Sequence, residues 1–444
     1  MDKKAVYAIA VVAILVVAAV GAFLIMDNKG KDIGSPTEMD SAELKVYGNI
    51  NGDRYLNDKD ADLIQKLIDD GKTAAEYPLA DANQDKFLDK NDVELVKKVA
   101  KGESATIWHI NYHDKDDDGD MDQVPVSSQF PITSCIISGS ANVSLGLFAI
   151  GVVDEVKGAA YSSSSLDPAL YSNSYLDTNK IEKVGTSANT IKIEDGKVGS
   201  SDIIAKEHVT ALISDWNKSY IKNEADFEKI GIDVIRVSNA STDKEVMTHS
   251  TMLLGLLFQK VDRAESYLDL NLEILGYVSD AIEGRDTPLV VVSSSNGSIS
   301  SSNSDYTRFA EVAGGKFALE NVDFGGAASI KVVEHPEIYT NEFNYIIHLR
   351  TAVNYSQSED KIQESYEKYC DGFKDWKYAE TGQYMVSGSI AASLRCAYIA
   401  VALHPDAIDM DKVNSLHQKM VDEFFNGLEF DIASMSFLVS PTTA

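Results

Sequence analysis

Two twelve-residue segments, NINGDRYLNDKD at 49–60 and DANQDKFLDKND at 81–92, carry oxygen-bearing side chains at positions 1, 3, 5, 9 and 12. In the first these are Asn49, Asn51, Asp53, Asn57 and Asp60; in the second they are Asp81, Asn83, Asp85, Asp89 and Asp92. A hard cation such as Ca2+ takes roughly six to eight oxygens, so a chain that binds it must wrap round it, and the backbone carbonyl at position 7, from Tyr55 or Phe87, would complete such a set. With four carboxylates against two, the second loop is expected to bind more tightly. Asn and Asp also favour metal-free polar turns, but five matched positions in both copies speak against that reading. A third acidic run, DKDDDGDMD at 114–122, would meet Pro125 at position 12, which offers no side-chain ligand. It reads more simply as the tip of a hairpin between ATIWHINY and MDQVPVSS, with a third calcium site as the alternative.

Each loop leads into a stretch of helical apolar spacing, ADLIQKLIDDG or VELVKKVAKGE, that stops at Gly71 or Gly102. A calcium loop followed by a helix, twice, resembles the type I dockerin over about residues 45–103. Two departures stand out. Arg54 and Lys86 occupy the place where a glycine usually permits the sharp turn, and Asn49 replaces an acid at position 1. The resemblance implies two bound Ca2+ ions and raises a cohesin-like protein as a partner. The residues that would decide such pairing, Asp58, Lys59, Lys90 and Asn91, do not match the common Ser-Thr pair, so docking stays open.

The whole chain has 444 residues, 44% hydrophobic and 25% charged, with a net charge of −29. That length allows several domains, and that charge argues against a nucleic-acid partner. Residues 5–26 form an uncharged apolar run of 22 residues behind Lys3 and Lys4. Its length suffices for a transmembrane helix with a cytoplasmic N-terminus and the bulk of the chain outside the cell; a cleaved signal peptide is the alternative. The expected organisation is an anchor at 1–28, a linker at 29–44, the paired calcium-loop module at 45–103, and a large remainder from 105. Cys135, Cys370 and Cys396 are read as buried thiols, with a Cys370–Cys396 bridge as the lesser option.

From residue 105 short apolar runs alternate with helical stretches, the pattern of an α/β fold with mainly parallel sheets. Strand-like segments include ITSCIIS, EVKGAAYSS, HVTALISDW, IDVIRVSNAS, PLVVVSSSNGS and NYIIHLRTAV, and one long apolar helix is expected over 246–284. The order of hairpin, Pro, strand and helix in VPVSSQFPITSCIISGSANVSLGLFAIGVVDEVKGAAYSS carries a family likeness. So do RFAEVAGGKFALEN and the closing AYIAVALHPDAIDMDKVNSLHQKMVDEFFNG. Together they resemble the ABC-importer substrate-binding proteins for iron chelates and corrinoids over about 105–435. The resemblance implies two Rossmann-like lobes, 105–245 and 285–444, joined by the 246–284 helix. It also implies a small metal-complex ligand between the lobes (an iron chelate, a corrinoid or haem) and an ABC permease with its ATPase as partners.

Loops at the strand C-termini would then face the ligand. The candidates are Ser138, Ser140, Asn142, Tyr161, Ser162, Trp216, Ser238, Asn239, Ser295, Asn296, Arg308 and Arg350. Ser140 and Asn142 could equally cap a helix. Trp216 and Tyr161 could stack on a flat ligand or pack at a domain edge, and Arg350 could clamp an anion or pair with an acid. The polar run at 293–305 reads as a loop at the cleft mouth or as a surface insertion. No GxSxG, P-loop or HExxH motif occurs, and His109 and His113 are read as structural. A cell-surface scaffold protein docking through the calcium module is the alternative function, and a chelatase-like enzyme the second alternative.

Overall fold

The computed structural model describes residues 39–113, 121–138, 141–160, 181–185, 191–194, 197–198, 201–217, 220–221, 224–293, 295–351, 353–376, 382–425 and 428–441. The apolar run at 5–26, most of the linker, the acidic tip at 114–120, and Ser140, Tyr161 and Ser162 lie outside the described residues. Among the described residues no helix is long and apolar enough to cross a membrane.

Both loops of the repeat lead into the helices their spacing foretold, α1 (Asp58–Asp69) and α2 (Lys90–Ala100). Asn57 and Asp89 accept an amide hydrogen bond at the helix start while Asp60 and Asp92 accept one from the cap residue in return, a reciprocal capping box in each copy. Ile64 and Leu67 of α1 and Val93, Val96 and Val99 of α2 enter a core that continues without interruption into both lobes. The module is therefore seated on the rest of the protein.

The hairpin forms as expected from β1 (Ala105–His113) and β2 (Asp122–Phe130), antiparallel, with His113 opposite Asp122. In the first lobe β3 (Cys135–Ile137), α3 (Ala141–Ala149), β4 (Val156–Ala160) and β5 (Glu182–Gly185) come first. They are followed by the short β6 (Ile193–Glu194), β7 (Lys197–Val198) and α4 (Ile203–Glu207), then β8 (Ala211–Asp215), α5 (Glu224–Lys229) and β9 (Asp233–Val237). The sheet order is β5-β4-β3-β8-β9 with every pair parallel. Strands covered on both faces read as continuous apolar runs, which is why CII and ALISD were visible as strands.

The 246–284 segment corrects the expectation of a single helix. It is two packed helices, α6 (Lys244–Leu257) and α7 (Val261–Ile282), with Gln259 at φ +56° between them. Gly255 permits the turn, because a Cβ there would come within 2.5 Å of the Ala264 Cβ, and its carbonyl accepts the Lys260 amide at 2.7 Å. A Gly255→Ala variant is expected to lose roughly 1–3 kcal/mol from overpacking of this crossing, measured as a lower urea midpoint. An unchanged midpoint would mean that the two helices can slide apart freely.

The second lobe holds β10 (Leu289–Ser293), β11 (Ser298–Ser300), α8 (Asp305–Val312), β12 (Lys316–Phe317), β13 (Ser329–Lys331) and β14 (Tyr345–Arg350). It ends with α9 (Glu359–Asp371), β15 (Gln383–Ser387), α10 (Ala392–Leu403), α11 (Met410–Phe424) and β16 (Leu438–Val439). Its sheet order is β12-β10-β14-β15-β16, parallel except for the last strand. The Ser-rich run is neither a cleft-mouth loop throughout nor a surface insertion. Its Ser298–Ser300 part pairs antiparallel with β13, and Ser298, Ile299, Ser300 and Ser301 are buried. Cys135, Cys370 and Cys396 are free thiols, so no Cys370–Cys396 bridge forms.

Candidate functional site

In a doubly wound sheet the strand order reverses at one point, and the loops leaving the strands there diverge to leave a crevice. In the first lobe that point lies between β3 and β8, where Ser138 donates from Oγ to Ser214 Oγ at 2.7 Å and is fully buried. Trp216 follows β8 directly. In the second lobe the reversal lies between β10 and β14, whose last residues are Ser293 and Arg350.

Arg350 is the most unusual group of the site. It is 5% exposed, donates from Nη2 to Ser293 Oγ at 3.0 Å and from Nη1 to the Leu349 carbonyl, and lies 3.7 Å above the Tyr369 ring. Its Nε has no partner, and no carboxylate pairs with it among the described residues. Burial pulls its pKa down to about 10, against the opposing pull of Tyr369 and Tyr306, so it remains a cation at neutral pH. The sequence left open whether Arg350 meets an anion or an internal acid, and among the described residues no acid pairs with it.

The two lobes touch through polar contacts. Arg395 of α10, buried at 3% exposure, donates from Nη2 to Asn142 Oδ1 of α3 at 2.7 Å and lies over the Phe309 ring. Asn142 is thus inside its helix and bonded across the seam, and does not cap the helix. Trp216 lies near the Asp305 carboxylate across the same seam; burial pushes that carboxyl above the usual range while Arg308, Arg395 and Trp216 pull it back. Between the lobes lies a cavity of about 350 Å³ lined by Met121, residues 240–243, Val246, Asp305, Arg308 and Phe309. Tyr306 is close enough to both Arg350 and Arg395 to influence both charges.

Of the sequence candidates, the structure brings Asn142, Trp216 and Arg308 to this seam. Asn239 adjoins the cavity's 240–243 wall, packed against Gly146 with a buried Oδ1 that has no partner. Ser238 is buried, its amide held by Ser250 Oγ, so it supports the loop rather than opening to a ligand. Ser295 and Asn296 are exposed on the turn between β10 and β11, Asn296 against Gly372. Sequence reasoning missed Arg395, Tyr306 and Asp305. Arg395 did leave a signal, a lone charge inside the apolar run ASLRCAYIAVAL.

In the first loop Asn49 is fully buried. Its Nδ2 donates to the Leu44 and Asp53 carbonyls, each at 2.7 Å, while its Oδ1 has no partner. Asp60 and Asp92 are fully buried with no ion pair among the described residues, and burial pushes both carboxyls up to about 6. A buried amide oxygen with no partner and a buried carboxylate held only by backbone amides, in one loop, fit a hard cation. No three carboxylate, imidazole or thiolate groups converge as a metal-holding cluster among the described residues, so the fit depends on amide and carbonyl oxygens as well. Lys86 takes the left-handed conformation at φ +74° without being a glycine, whereas Arg54 at the same place in the first loop does not; position 4 is left-handed in both, at Gly52 (φ +69°) and Gln84 (φ +58°). His109 is structural as expected, bonded to Ser128 Oγ at 2.8 Å.

Among solved structures, the chain is similar to the TroA-like periplasmic binding protein FepB of Veillonella parvula, with a TM-score of 0.54 and 15% identity over 70% of this chain and 95% of that one. The lobes have the fold of a periplasmic solute-binding protein. Helicobacter pylori CeuE, solved with Ni(II) bound, is similar at TM-score 0.50 and 17% identity over 70% of this chain and 96% of that one. An ABC transporter solute-binding protein of Sulfurospirillum deleyianum gives 0.50 and 16% over the same shares. No family model and no curated protein sequence matches the chain. The solute-binding fold covers these structures almost end to end and leaves nearly a third of this chain without a counterpart in them.

Proposed function

We propose that this protein is the extracytoplasmic substrate-binding component of an ABC importer. It captures a small anionic metal complex between its lobes and delivers it to a membrane permease driven by an ATPase. The observation that carries the reading is Arg350, a buried guanidinium at the second lobe's switch point with no carboxylate partner among the described residues. A buried charge is tolerated only where something compensates it, and an anionic ligand would do so through the planar fork that suits carboxylate or hydroxamate oxygens. The cargo is an iron chelate first, then a corrinoid or haem; the Ni(II) held by CeuE favours a metal-bearing ligand. The 5–26 run tethers the protein to the membrane from its cytoplasmic N-terminus. The two loops of the 45–103 module bind Ca2+, and Asp58, Lys59, Lys90 and Asn91 remain exposed there for a cohesin-like partner.

Trp216 at the seam makes the reading testable. Titrating the full-length protein with a ferric hydroxamate chelate, cyanocobalamin and haem is expected to give saturable micromolar or tighter quenching of tryptophan fluorescence for one of them. No response to any of the three would sink the importer reading and leave the surface-scaffold one.

A further inference from the structure

The two loops of the repeat differ in what their outward side chains touch. At position 6 of the first, Arg54 donates from Nη1 to Asp269 Oδ1 at 2.7 Å and lies 3.4 Å from Glu43 and 4.0 Å from Glu265. At position 7, Tyr55 lies close enough to the Glu265 carboxylate for that group to push its phenol up to about 12. Glu265 and Asp269 are one turn apart, so both contacts meet a single face of α7. At the same positions of the second loop Lys86 and Phe87 are exposed, Phe87 to 69%. The module is further seated by Lys45, whose amide donates to His249 Nδ1 of α6, and by Gly102, whose carbonyl accepts from Gln259. α7 in turn packs against α3 of the first lobe and against α10 and α11 of the second.

We propose that Ca2+ in the 49–60 loop works as a latch: an occupied loop holds Arg54 and Tyr55 against α7, so calcium rigidifies the helix that joins the lobes. The inference rests on the calcium reading of this loop, which the buried Asn49 with its unpartnered Oδ1 supports independently of the acids. Arg54 and Tyr55 lie in the chain between Asn49, Asn51 and Asp53 on one side and Asn57 and Asp60 on the other. A cation drawing both sides together fixes the backbone that presents them. Without the ion, Asp53 and Asp60 are uncompensated negative charges competing with Asp269 and Glu265 for the Arg54 guanidinium. With it, the loop's acids are satisfied and Arg54 is left to α7. This also accounts for an arginine where a glycine is usual: position 6 of this loop is not left-handed, unlike Lys86 in the second, so a side chain is carried there without strain and serves the body.

The test compares the full-length wild type with Arg54→Gly, in millimolar calcium and in EGTA. Bound calcium is read by equilibrium dialysis and amide hydrogen exchange is followed across Val261–Ile282. Calcium is expected to slow exchange in α7 of the wild type by roughly two- to fivefold, the scale of one partly exposed ion pair. Arg54→Gly should bind the same calcium and lose that protection. Calcium bound with no change in wild-type α7, or equal protection in Arg54→Gly, would overturn the latch and leave the calcium reading intact. No calcium bound to the wild type would remove both.

Discussion

An Arg350→Met variant is expected to bind the ferric chelate, or whichever metal complex the wild type takes, roughly 10- to 100-fold more weakly, because a charge-assisted hydrogen bond is worth about 1.5–3 kcal/mol. Its apo form should unfold at the same denaturant midpoint as wild type or a higher one. The two halves of this expectation separate the candidate roles of the residue. An arginine serving the fold would lose stability on replacement, whereas a buried guanidinium with no acid beside it carries a desolvation penalty that methionine, similar in volume, avoids. The lost contacts to Ser293 and Leu349 and over Tyr369 partly offset that gain. Unchanged affinity with a lower midpoint would make Arg350 a structural brace and move the ligand's anchor elsewhere at the seam, Arg395 being next.

Acid should destabilise the wild type more steeply than a His417→Gln variant. His417 is fully buried in the second lobe, with Nε2 2.6 Å from the Tyr355 hydroxyl and Nδ1 3.0 Å from the Tyr398 hydroxyl. Tyr398 donates its own proton to Asn414, so the network is satisfied by the neutral Nδ1–H ring with Tyr355 donating to Nε2. Burial pulls the ring's pKa from about 6.5 down to about 3. The unfolded chain therefore takes up the proton first. Stability from this group is intact above pH 6.5 and falls as pH drops toward 3, by about 1.4 kcal/mol per unit. Glutamine can still hydrogen-bond the tyrosines and does not titrate. By pH 4.5 the wild type should have lost about 3 kcal/mol more than the variant, relative to pH 7, in urea unfolding. Parallel pH curves would mean that the ring is reached by solvent in the fold. His109, His249 and His348 are buried in the same way and add to the wild-type slope in both proteins.

Local pattern alone was enough for the elements whose signal is local. The repeat announced two loops and two helices because the oxygens at positions 9 and 12 are also the capping residues of α1 and α2. The hairpin was legible from its flanking strands, and the parallel strands from apolar runs covered on both faces. The single 246–284 helix failed for an equally local reason: periodicity continues across Leu257–Val261, while the break depends on Gly255 meeting Ala264, a contact between two helices that a periodic pattern cannot register. The site was half visible. Arg350, Asn142, Trp216 and Arg308 were on the candidate roll because they sit near strand ends or helix starts, whereas Arg395 lies within an apolar helix, where a charge has meaning only once its neighbours are known.

The sequence by itself determined the chemistry available to this protein: oxygen donors at cation spacing, polar residues after buried strands, and a strongly acidic balance of charge. Which of those groups act together was decided by the tertiary structure. Asn142 and Arg395 are 253 residues apart, Arg54 and Asp269 are 215 apart, and each pair meets at hydrogen-bond distance. The absence of an acid beside Arg350 among the described residues is likewise a property of packing. Pairing and burial are relations between distant segments, and their energies arise only when folding removes both partners from water.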